Sequence, residues 1–133
     1  MNSKVVITGL GFVTSIGNSR AMVSQSLRSL RHGLSRWQPV AGADLNVKVG
    51  GLLSGFDVSS SNPAAWSWPA EFDIEPCTAR SMPPHGVYAL AALKQALKEA
   101  RLSDADLRDG ATGLFCASAG SPRMLHQHLG KAA

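Results

Sequence analysis

Residues 4–10, reading KVVITGL, set the firmest condition on how this chain can fold. Val5, Val6, Ile7 and Thr8 are consecutive β-branched residues, and Gly9, Gly11 and Gly17 follow them. Apolar side chains at successive positions mark a buried strand, because an exposed one would alternate. A buried strand needs cover on both faces, so the rest of the chain must supply layers.

The elements that follow have the periods such layers require. Ser19 is placed as N-cap to a helix over residues 20–32, with Gly33 as its C′ residue. Val23, Leu27 and Leu30 fall at i, i+4 and i+7 and make its apolar face. Leu45, Val47 and Val49 alternate with Asn46 and Lys48, which predicts a half-exposed strand ending at Gly50 and Gly51. Over residues 54–84 all periodicity fails: Ser59 to Ser61, five prolines and the tryptophans Trp66 and Trp68 read as a long loop. The tryptophans predict that this loop packs on something. A helix over residues 86–101 is the plainest element, with Leu90, Leu93 and Leu97 on one face. Ser103 opens a short second helical turn, with Asp106 in the capping-box position. Residues 112–117 read as another apolar strand, and the tail MLHQHLGKAA as the start of a helix. The order is strand, helix, strand, loop, helix, strand, an α/β pattern.

At 133 residues the chain amounts to about one domain. Its 44% hydrophobic and 17% charged content argues against disorder. No window approaches the ~18 apolar residues of a membrane span, and the apolar run after Lys4 is too short for a signal peptide. Cys77 and Cys116 lie far apart without C-x-x-C spacing, which indicates neither a zinc site nor a disulfide framework. A cytoplasmic location is expected. The net charge is +4, and no acid precedes Asp44, whereas Lys4, Arg20, Arg28, Arg31 and Arg36 do. That basic end suits an acidic partner, or else is a solvated helix face. Without aromatic interleaving it does not indicate nucleic acid.

Four groups of residues could carry chemistry. The glycines come first: a dinucleotide fingerprint needs a third glycine where Thr14 stands, and an acid some twenty residues on. Neither is present, and no G-K-[ST] follows, so the glycines serve close packing and a sharp turn. Cys116 in FCASAG could be a nucleophile, but a thiol between Phe115 and Ala117 of a buried strand reads first as a small core residue. Cys77 is a loop thiol with no base nearby in sequence. His32, His85, His126 and His128 have no metal-ligand spacing. Asp104, Asp106 and Asp109 read as cap and turn residues.

With these residues in view, the chain resembles the N-terminal part of the β-ketoacyl-acyl-carrier-protein synthases of the elongating type. KVVITGLGFVTSIGN is similar to that family's opening strand and its T-G-x-G-x-V-[TS]-x-x-G turn. NVKVGGLLSGFD resembles its edge strand, and ARSM followed by GVYALAALKQALKEARL its loop and long helix. GLFCASAG occupies the place of the next family strand and its glycine-rich turn. The resemblance implies a thiolase-like fold, a layered αβαβα arrangement of which residues 1–133 would be the N-terminal fragment only. It implies decarboxylative Claisen condensation of malonyl-carrier protein with an acyl thioester, in fatty acid or polyketide synthesis. Acyl carrier protein is the implied partner, and the full-length family is expected to be homodimeric.

The family's nucleophile is an elbow Cys assisted by two His and a Lys. None of these can be matched to a residue here. Cys116 lies one strand too early for the elbow, and His126 and His128 stand in different motifs. No catalytic, cofactor-binding or metal-binding residue is therefore assigned, and no cofactor is implied. The chain is expected to cover roughly a third of such an enzyme, to be inactive alone, and to be poorly folded or self-associating. Three departures stand out: Ala117 and Ala119 replace glycines, SSSNPAAWSWPAEFDIEPCTA within residues 54–84 is a longer and more aromatic loop insertion, and Pro83 and Pro84 replace the usual acidic or polar start of the long helix. Two other readings use the same residues. One is a non-catalytic module that binds an acidic partner such as acyl carrier protein through Arg20, Arg28, Arg31 and Arg36. The other makes Cys116 an active thiol in its own right.

Overall fold

The computed structural model describes residues 4–36, 46 and 48–118. Helix α1 spans Arg20–Arg28, strands β1 and β2 span Leu34–Arg36 and Val49–Gly51, and helices α2, α3 and α4 span Pro76–Arg80, Pro84–Ala100 and Asp104–Leu107. The mixture of helix and strand agrees with the α/β reading. The expected strand at 45–49 has Leu45 and Val47 outside the described residues, and Val49 opens β2. Its partner is β1, antiparallel, with Leu34 opposite Gly51 and Arg36 opposite Val49.

α1 starts where Ser19 predicted: the Ser19 hydroxyl accepts from the Met22 N–H. It ends four residues earlier than expected. Leu30 turns left-handed at φ 53°, and the Arg31 and Leu30 amides donate back to the Ser26 and Leu27 carbonyls. That is a Schellman closure with leucine where glycine is usual. Gly33 has another task, since a Cβ there would lie 2.4 Å from Ser15 Oγ. The inner face of α1 also differs from the predicted one. Val23 and Ser26 are buried, whereas Leu27 and Leu30 are exposed. Ser26 replaces an apolar residue because its hydroxyl donates to the Ile16 carbonyl at 2.7 Å and accepts from Arg31 at 2.8 Å.

α3 begins with Pro84 at its first position, where a missing N–H costs nothing, and Pro83 precedes it as the N-cap. It ends like α1: Arg101 adopts φ 57°, and the Leu102 and Arg101 amides close on the Leu97 and Lys98 carbonyls. The capping box of α4 forms as read, Ser103 and Asp106 each bonding the other's backbone.

The core is built around α3 and the segment before it. Phe72, Ile74, Ala79, Val87 and Ala91 are buried together, and Val13, Phe56, Trp66, Trp68 and Leu90 pack around them. Residues 54–84 are thus an ordered cover. Asp57 and Ser67 exchange backbone hydrogen bonds at 2.9 Å, Trp66 Nε1 donates to the Ser60 carbonyl, and single 3-10 turns occupy Pro63–Ala65 and Ala70–Phe72. Phe56 stacks at 5.3 Å on Phe72 and meets Tyr88 edge-on at 5.4 Å. The tryptophans pack as the sequence predicted.

Two expectations fail. Residues 4–10 and 112–117 form no strand, and their side chains are not buried: Val5 is 99% exposed, Ile7 81% and Phe115 97%. A strand exists only through hydrogen bonds to a neighbour. Neither segment pairs with another among the described residues.

Candidate functional site

The glycine motif lies against a helix backbone. Gly9 and Gly11 both face α3, where an added Cβ would meet the Ala96 carbonyl at 2.1 Å and the Ala92 carbonyl at 1.8 Å. The spacing explains the fit. Two residues of extended chain advance about 6.6 Å, and one i to i+4 step of a helix about 6.0 Å. Two glycines at i and i+2 can therefore sit on a row formed by Ala92, Ala96 and Ala100. Close packing, the reading preferred over a phosphate loop, is what the glycines provide.

Glu99, at the end of α3, ties this contact to α1. Its carboxylate accepts from the Leu10 N–H at 2.7 Å and pairs with the Arg20 guanidinium. Those two bonds, the Leu10 amide first, hold the carboxyl below the usual range. Gln95, one turn earlier, donates to the Phe12 carbonyl at 2.9 Å. After the glycines the chain turns sharply, with Thr14 and Gly17 exchanging backbone bonds at 3.1 and 3.2 Å. Asn18 is then buried at 8% exposure, its Nδ2 on the Ser54 carbonyl at 2.7 Å.

Two concavities flank these elements. A polar one of about 480 Å³ opens beside the start of α1, walled by Asn18, Ser19, Glu71, Asp73, Lys94 and Lys98. Lys94 there bonds the Asp73 carbonyl and lies 3.8 Å from its carboxylate. The second, about 570 Å³, is apolar. Met82, Leu90 and Leu93 form one wall and Leu114, Phe115 and Cys116 the other. The sequence reading missed the polar cavity. Its only local signal was the i, i+4 pair Lys94 and Lys98, which any solvated helix face can carry.

The candidates among the described residues do not converge. Cys116 is exposed at the rim of the apolar concavity, which corrects its reading as a buried core thiol. The correction has the same cause as the missing strand, since no neighbouring strand covers it. Cys77 is exposed on α2, its Sγ 3.4 Å from Glu75 Oε2. His32 Nδ1 accepts from the Leu34 amide and His85 sits in the first turn of α3. His126, His128 and Ala119 lie outside the described residues, as does the expected tail helix. Among the described residues no three His, Cys, Asp or Glu are grouped to hold a metal ion, and no helix is long and apolar enough to cross a membrane. Of the four arginines at the basic end, Arg20 is paired with Glu99 and Arg31 donates to Ser26. Arg28 and Arg36 have no ion pair among the described residues.

Comparison with known proteins decides the family. The Beta-ketoacyl synthase, N-terminal domain, matches residues 2–132. This chain belongs to that family. It is 32% identical over 122 residues to 3-oxoacyl-[acyl-carrier-protein] synthase 1 of Escherichia coli K12, and equally to that of E. coli O6:H1 strain CFT073. The match covers 90% of this chain and 27% of each relative. The chain therefore spans about a quarter of the length of these relatives, rather less than the third expected. No solved structure matches it. Residues 4–10 and 112–117 have the composition of interior strands but pair with no strand among the described residues.

Proposed function

We propose that this chain is the N-terminal portion of a 3-oxoacyl-acyl-carrier-protein synthase. The complete enzyme would condense malonyl-carrier protein with an acyl thioester bound on a cysteine, releasing carbon dioxide, in fatty acid or polyketide synthesis. Such an enzyme has the layered αβαβα thiolase-like fold, acts as a homodimer and takes its substrates from acyl carrier protein. Within it this chain would be scaffold. Residues 4–10 and 112–117 would enter the central sheet, α3 would cover one face of that sheet, and the nucleophile, histidines and lysine would come from polypeptide beyond these residues.

The observation that carries this reading is the exposure of Val5, Val6, Ile7, Leu114 and Phe115 on unpaired backbone. A soluble domain does not ordinarily leave β-branched and aromatic residues bare on open edges. A missing sheet accounts for both segments at once.

A domain exchange tests the proposal. Residues 1–118 replace the matching segment of E. coli 3-oxoacyl-[acyl-carrier-protein] synthase 1, and condensation of malonyl- with acyl-carrier protein is measured by product mass. The chimera is expected to form 3-oxoacyl product, and this chain alone none. Product from the chain alone, or a folded chimera without activity, refutes it.

A further inference from the structure

We draw no further inference here: the strongest candidate, the polar cavity at the start of α1 between Lys94 and Lys98, carries nothing because the carboxylates of Glu71 and Asp73 offset its two ammonium groups and its one unpartnered acceptor, Asn18 Oδ1, is enclosed by protein where no ligand reaches it.

Discussion

Replacing Gly11 by alanine puts one methyl group where the Ala92 carbonyl oxygen lies 1.8 Å away. Comfortable contact needs about 3.5 Å, so the chain has to retreat by nearly 2 Å. The obstacle is helix backbone, with the carbonyl carbon also at 2.6 Å, and it cannot rotate aside as a side chain would. A retreat of that size stretches the 2.7 Å Leu10–Glu99 and 2.9 Å Gln95–Phe12 bonds beyond hydrogen-bonding range. Overpacking of this kind costs about 1–3 kcal/mol, which predicts a roughly 5- to 150-fold faster amide exchange at Leu10. Exchange followed residue by residue by NMR reads the effect locally, whatever the global stability of the preparation. Gly50→Ala is the control, since nothing lies within 4 Å of its added Cβ. Adding Ala92→Gly to Gly11→Ala should restore nothing, because it removes a side chain and leaves the carbonyl in place. Unchanged Leu10 exchange in Gly11→Ala, or recovery in the double variant, refutes the backbone-contact account.

Further predictions rest on the elements around that contact. The Glu99 carboxyl is held below its ordinary value of 4.5 in the folded chain, so its contribution is fully present above that value and lost as pH falls through the lower, folded pKa. Leu10 protection should follow the same acid-side curve, and Glu99→Gln should flatten it. Ser26→Ala removes the buried hydroxyl that donates to the half-buried Ile16 carbonyl and accepts from the exposed Arg31. It should destabilise by about 0.5–1.5 kcal/mol, read as a lower urea midpoint of the helical circular dichroism. Leu30→Gly relieves a left-handed residue that is 91% exposed and so loses no burial. The same measurement should show a gain of about 1 kcal/mol. Ser19→Ala removes the α1 cap and should cost about 1 kcal/mol.

What the sequence made legible was what depends on near neighbours. The Ser19 cap, the Ser103–Asp106 box and the long helix involve residues a few places apart, and each was found where read. α1 was overextended because a helical period continues through Leu30, while the Schellman closure that ends it uses a leucine in a conformation glycine usually supplies. The strands at 4–10 and 112–117 were read from composition, which reports what a segment would do with a partner. It cannot report whether the partner is present. β1 has no sequence signal because Leu34–Arg36 is three residues long and carries no alternation. The order within residues 54–84 was only half visible: two tryptophans announced packing, but nothing local indicated that Phe72 and Ile74 would join Val87 and Ala91. The polar cavity gathers residues from three separate stretches, and no spacing rule connects Asn18 to Lys94.

The buried cluster has a bearing on how such a protein is made. Its five members all come from one short run between Phe72 and Ala91, so they can find one another without waiting for distant chain. Contacts this local form early, and a ribosome releases the N-terminal side of a protein first. The α3 kernel can thus close during synthesis. It would then stand as a finished platform onto which the segments on either side of it fold.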